Sequence, residues 1–343
     1  MKKLFISMLA VAALASCSQE DVIVADKGDL IGFNSFVENS TRATDNTYGA
    51  VDLTSFYVYG TVQGTGNGVV NIYDGDVVTG TVGQKETITD ENGDQIEVDK
   101  AWSCDVKQYW IADAEYNFAA VVDVDKDTDT DELPDGVTVD ENGMPETIVY
   151  TTANQNDLLY AEATATGQAT GNDKVNFNFS HLLSKAQFTV TSNTEGGYYY
   201  SVKDIKVSNY AGGTYTIADE TWAPGTPSDV EFRNVEYVTS NDKNGKTNAT
   251  QMLLVPTTND FKVSFTVEIW NGDGEGDDEV LLGQTVYKDG DTDTAHNALS
   301  VTTDLVKGNT YNFNLNLSVG ELIQFTVTTN PTWANGSDTT LTL

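Results

Sequence analysis

Strand-like alternation, with helical periodicity nearly absent, constrains this chain more than any other feature. Val175-Asn176-Phe177-Asn178-Phe179 carries an apolar residue at every second position, and Gln187-Phe188-Thr189-Val190-Thr191 does the same. Phe261 to Ile269 and Tyr311 to Leu317 repeat the pattern. Successive side chains point to opposite faces of a strand, so each segment has one apolar and one polar face. That is the signature of antiparallel sheets wet on one side. Gly, Asn and Asp turns separate the segments. Many short strands without helices between them predict an all-β fold made of β-sandwiches of antiparallel strands.

The length of 343 residues predicts two domains, and 39% hydrophobic with 10% aromatic residues suffices for a core in each. The break is placed near Ser180, where one alternating strand ends and His181-Leu182-Leu183-Ser184-Lys185 opens the next segment. A formal charge of −34 excludes nucleic acid as a partner, because phosphates would be repelled. The same charge disfavours docking of the folded body on an anionic membrane. Regular Tyr, Phe, Trp and Val clusters distinguish this acidic chain from a disordered one.

Residues 1–17 read as an export leader. Met1-Lys2-Lys3 is cationic, Leu4 to Leu14 is apolar, and Leu14-Ala15-Ser16-Cys17 follows. The apolar run is too short for a permanent membrane span. A cysteine behind small residues resembles the lipobox of bacterial lipoproteins, in which the thiol and the new amine receive acyl chains. Each buried methylene contributes roughly 0.8 kcal/mol, so several chains anchor firmly. The acidic Ser18-Gln19-Glu20-Asp21 adds a resemblance to the surface-export signal of Bacteroidetes lipoproteins. Residues 18–29 form a polar tether. Leu30 to Phe36 then reads as a strand with Ile31 and Phe33 on one face. Asn39 to Asn46 is polar and holds Arg42, one of only two arginines, beside Ala43. Exposed polar loops of this kind are where proteases nick a chain.

Catalytic and metal-binding constellations are poorly represented. Asp123, Asp125, Asp127, Asp129 and Asp131 alternate, but the stretch lacks the glycine and glutamate spacing of a calcium loop and reads as a solvated acidic linker. The two histidines, His181 and His296, do not make a triad or a zinc site, and His181 reads as a domain-junction residue. Cys104, between Trp102 and Val106, reads as packing; if Cys17 carries lipid, no disulfide remains. Tyr198-Tyr199-Tyr200 suits either stacking on sugars or burial in a sheet. The expectation is a non-enzyme with no cofactor and no metal.

Several segments, taken in order, resemble the fimbrillins, lipoprotein pilins of Bacteroidales that build type V pili. They are Leu14-Ala15-Ser16-Cys17, Ser40-Thr41-Arg42-Ala43, and Tyr109-Trp110 with Tyr116-Asn117-Phe118-Ala119-Ala120. Asp157-Leu158-Leu159-Tyr160-Ala161, His181-Leu182-Leu183-Ser184-Lys185-Ala186 and Leu254-Val255-Pro256 follow. Gly308 to Phe313, Ile323 to Val327 and Trp333 complete the set.

The resemblance implies two tandem transthyretin-like β-sandwich domains, residues 43–180 and 181–343, behind a leader (1–17) and a propeptide (18–42). It implies an outer-membrane lipoprotein precursor anchored through Cys17, then an extracellular fimbrium that supports adhesion. An arginine-specific protease would cut between Arg42 and Ala43, removing the strand of Ile31 and Phe33. A strand from another pilin subunit would fill the groove, with Ile323, Phe325 and Val327 as candidate donor residues and Leu341 and Leu343 further along. The segment from Ile323 reads equally well as a fixed core strand. A stalk position is the expectation. The alternative reading is a non-polymerising surface lipoprotein that binds glycans.

Overall fold

The computed structural model describes residues 29–37, 53, 55–64, 68–80, 85–89, 95–99, 102–122, 136–153, 155–168, 171, 174–193, 198–231, 237–239, 250–258, 261–271, 280–289, 298–318, 324–330 and 339–342. Among them there is no α-helix. The first half carries β1 (Phe33–Val37), β2 (Ser55–Gln63), β3 (Val69–Thr79), β4 (Lys85–Thr89), β5 (Gln95–Asp99), β6 (Ser103–Cys104), β7 (Glu115–Val122), β8 (Val137–Val139), β9 (Pro145–Thr151), β10 (Leu159–Thr166) and β11 (Val175–His181). Next come β12 (Ser184–Asn193), β13 (Tyr198–Tyr210), β14 (Gly212–Thr216), β15 (Thr221–Pro224), β16 (Pro227–Glu231), β17 (Tyr237–Thr239) and β18 (Thr250–Leu254). The chain closes with β19 (Phe261–Asn271), β20 (Val280–Tyr287), β21 (Leu299–Val301), β22 (Thr310–Ser318), β23 (Gln324–Asn330) and β24 (Thr339–Thr342).

Alternation in the sequence becomes alternation in burial. Along β11, Val175, Phe177, Phe179 and His181 are buried, whereas Asn176, Asn178 and Ser180 are exposed. The first core lies inside a seven-stranded sheet of order β1-β11-β10-β7-β2-β3-β6. This sheet curls until its ends meet: Phe33, at the start of β1, bridges Trp102, just before β6. The second core is a sandwich of the five-stranded sheet β18-β12-β22-β23-β24 and the six-stranded arrangement around β16-β13-β19-β20.

A third apolar core joins the two halves. It contains Tyr59, Val121, Ile148 and Leu158 from the first half, with Leu182, Leu183, Tyr215, Leu253 and Val255. Strand β7 therefore buries both faces: Tyr116, Phe118, Ala120 and Val122 face the first core, while Ala119 and Val121 face the third. That accounts for the unbroken run Ala119-Ala120-Val121-Val122, which a half-wet strand would not tolerate. The halves also share backbone hydrogen bonds, since β14 pairs antiparallel with β9 in the four-stranded sheet β15-β14-β9-β8. Thus residues on both sides of Ser180 build one sheet.

Polar groups key this junction. His181 Nδ1 lies 2.8 Å from Asp157 Oδ2, with both side chains buried. The Gln155 amide both donates to Leu253 O and accepts from Leu253 N. Asn209 makes the same two-way clamp on Val255. Trp222 Nε1 donates to Leu182 O at 2.9 Å. Buried polar groups require such partners.

Most ladders are antiparallel, as the alternation predicts. Among the described residues two are parallel: β1 with β11, and β12 with β22. Parallel neighbours need a long connection, and in both cases most of one half of the chain lies between the partners.

Candidate functional site: the N-terminal strand and its slot

The segment from Asp29 to Val37 is held on both sides. On one side Trp110 N donates to Asp29 O (3.0 Å), Ile31 N donates to Gln108 O (2.9 Å) and Trp102 N donates to Phe33 O (3.3 Å). On the other side Val175 N donates to Gly32 O at 2.8 Å, and β1 continues in parallel register from Phe33↔Val175 to Val37↔Phe179. Gly171 N donates to Asp29 Oδ2 at 2.6 Å, and Asn34 Nδ2 donates to Asn176 Oδ1 at 3.1 Å. The segment thus closes the first half as the strand between the two ends of the curled sheet.

Its side chains fill the core. Ile31 is 4% exposed and Phe33 is 0% exposed. The Phe33 ring stacks on Phe177 and meets Phe56, Tyr73 and Phe118 edge-on, with centroids 5.5–6.4 Å apart. Such pairs add to area burial. Burying Ile31 and Phe33 contributes roughly 1.5–3 kcal/mol each. Burial pushes the Tyr73 phenol and the Cys104 thiol above their ordinary values, so the walls of the slot stay uncharged. Cys104 packs in this core as a small apolar residue.

Were residues 29–37 withdrawn, Trp102 N, Trp110 N, Val175 N and the Gln108 carbonyl would lose their partners, and an aromatic pocket would open. Unpaired edge groups beside an apolar groove are what an added strand recognises.

Other sequence-predicted residues fall as follows. Cys17, Arg42, Ala43 and Ile323 lie outside the described residues, as do the alternating aspartates from Asp123 to Asp131, His296 and Leu343. Phe325 and Val327 lie on β23, opposite Leu315 and Phe313 of β22. Strand β24 pairs in turn with β23, setting Leu341 opposite Val327, and forms the edge of that sheet. Among the described residues no cluster of His, Cys, Asp and Glu is arranged to hold a metal. In the tyrosine run, Tyr198 is 36% exposed, Tyr200 packs in the second core and Tyr199 stacks on Trp270.

The segments around Leu158, His181 to Lys185 and Val255 converge on the third core, which sequence reasoning did not foresee. Part of the signal was present: Leu253 and Leu254 are apolar neighbours that cannot both face one core from a strand, and on β18 Leu254 enters the second core while Leu253 enters the third.

The chain is 15% identical to a crystal structure of a fimbrial protein from Bacteroides vulgatus, with 91% of this chain and 99% of that chain covered and a TM-score of 0.55. A cell adhesion protein structure from Bacteroides uniformis matches at 16% identity, 88% and 97% coverage and a TM-score of 0.42. At 15% identity the first likeness speaks to the fold alone. No curated protein matches the sequence. The fimbrillin-like family matches residues 41–333, which reach into both halves and leave out only the Ile31 and Phe33 segment of the first core, and the chain belongs to that family.

Proposed function

We propose that this protein is a fimbrial subunit, of the stalk, that polymerises at the cell surface by proteolytically triggered strand exchange and supports adhesion. Family membership supports a surface, pilin-like and structural role in place of catalysis, with other pilin subunits as partners. The observation that carries the exchange step is the segment Asp29–Phe33, hydrogen-bonded on both sides with Phe33 fully buried among four aromatic rings.

In this reading the precursor is an outer-membrane lipoprotein held by acyl chains on Cys17. The resident strand occupies its slot at the high effective concentration of a tethered segment and excludes donors. An arginine-specific protease cuts between Arg42 and Ala43, which releases the lipid and ends that advantage. The family match begins at Thr41, beside the proposed cut. A donor strand then pairs with the exposed edges and sets apolar side chains where Ile31 and Phe33 lay. Ile323, Phe325 and Val327 are the candidate donor residues; Phe325 and Val327 lie on β23, which pairs with the edge strand β24.

N-terminal sequencing of the surface form, with electron microscopy of sheared material, tests the proposal. The expected mature end is Ala43, and polymers should form ladders on gels that persist without boiling. Polymers whose subunits retain Cys17 would refute it.

A further inference from the structure

The outer face of the six-stranded sheet is constructed unlike a merely solvated surface. Across that face β13 and β19 set Tyr199 beside Trp270, Ser201 beside Glu268 and Lys203 beside Thr266. Glu268 is 3% exposed although it lies on the face opposite the second core. Its carboxylate pairs with Lys203 Nζ at 2.6 Å and accepts from Gln284 Nε2 at 2.8 Å and Trp270 Nε1 at 3.2 Å. Immediately beyond, β13 bulges between Lys203 and Lys206. Asp204 sits in that bulge with φ of 54°, left-handed for a residue with a side chain, and accepts from Thr266 Oγ1 at 3.1 Å. Bulges and strained backbone of this kind re-aim side chains, often at binding sites.

The bulge borders a cleft of about 480 Å³ whose walls include Asp204, Lys206, Ser208, Asp229, Lys262 and Ser264. That volume falls in the range of small-molecule sites. The cationic groups stand among carboxylates: Lys206 lies 3.9 Å from Glu231, and Lys262 pairs with Asp289. The chain has only 18 basic residues against 52 acidic ones, and three lysines (206, 262 and 288) line this one cleft.

We propose that this cleft binds a neutral, polyhydroxylated glycan. The inference deepens the surface-adhesion reading and rests on it. A sugar hydroxyl both donates and accepts. Set between an ammonium and a carboxylate, it accepts from one and donates to the other, and such charge-assisted bonds are the strong ones. An anionic ligand would face Asp204, Asp229 and Asp289 as well as the overall negative charge. A bare cation would face the three ammonium groups. Phe265, Val286, Tyr287 and Ala298 also line the cleft, but they stand among lysines and aspartates that an apolar peptide would have to desolvate without giving them partners, whereas a sugar ring can stack on Tyr287 while its hydroxyls meet the charges. Lys262 is paired with Asp289, and Asp204 accepts from Thr266, so ordering these side chains on binding costs little.

Calorimetric titration of the full chain tests this, with mannotriose, N-acetyllactosamine and β-glucan oligomers as neutral probes and sialyllactose as the anionic comparator. At least one neutral probe is expected to bind with Kd at or below about 1 mM. Its affinity should change little with salt. Lys206→Met and Asp229→Asn should each weaken binding about tenfold, the loss of one charge-assisted hydrogen bond, with unchanged thermal unfolding. Absence of binding by every neutral probe, binding of sialyllactose alone, or affinity unmoved by both variants overturns the inference. Ladder formation by the Arg42-cut protein is measured in parallel. Ladders without glycan binding reject this site and leave strand exchange standing; glycan binding without ladders does the reverse.

Discussion

Phe33 and Phe177 stack near-parallel, with ring centroids 5.9 Å apart and planes 19° apart, and so tie the first strand to the eleventh. Around them Phe56, Tyr73 and Phe118 complete an aromatic cluster whose central member, Phe33, belongs to the segment proposed to be removable. The uncut chain and the cut chain should therefore respond differently to the same mutation.

Phe33→Ala in the uncut chain creates a cavity among the four rings and should destabilise the first half by about 3–5 kcal/mol. Urea unfolding followed by fluorescence reads this. After cleavage at Arg42 the variant and parent bodies are chemically identical, so their unfolding curves should coincide.

At the junction Asp157, which contacts His181, also acts on the buried Lys185. Burial lowers the Lys185 pKa from its ordinary 10.5, and Asp157 opposes that shift. Asp157→Ala should cost about 3–5 kcal/mol, because it removes the carboxylate that opposes desolvation of the buried Lys185 ammonium. In the parent, the folded state gives up the Lys185 proton at lower pH than the unfolded state does. Stability from this group should therefore rise with pH between the lowered folded value and 10.5. Urea midpoints measured from neutral pH upward should show a steeper rise in Asp157→Ala, where the Asp157 carboxylate no longer opposes the depression.

Gln155 and Asn209 clamp residues two apart on one outgoing chain, Leu253 and Val255. Gln155→Leu and Asn209→Leu each leave a buried backbone donor and acceptor without side-chain partners, for about 1–3 kcal/mol apiece. Because both clamps hold the same segment, the double variant should deviate from additivity by at least about 0.5 kcal/mol. A denaturant double-mutant cycle measures the deviation.

Gly212 lies where β14 of the second half crosses closest to β9 of the first. A Cβ there would lie 2.1 Å from the Tyr150 carbonyl oxygen, a backbone atom with no room to retreat. Gly212→Ala should weaken the shared sheet by about 1–3 kcal/mol. Hydrogen exchange should accelerate at Thr147–Thr151 and Gly212–Thr216 before the amides of β11 or β22 are affected.

Much of this architecture is readable in the chain itself. The period-two pattern of Val175 to Phe179 and of Tyr311 to Leu317 determines that these segments are strands and which side chains point inward, because alternation is a property of one strand alone. An all-β class and the inward face of Ile31 and Phe33 follow from the same local rule. Partner choice does not. That β1 lies parallel to β11, that β9 joins β14 across the halves, and that Leu158, Leu183 and Val255 build a third core were decided by tertiary structure. A strand's pattern specifies that it must bury a face; which distant edge and which core receive it depends on how all the curved sheets close together.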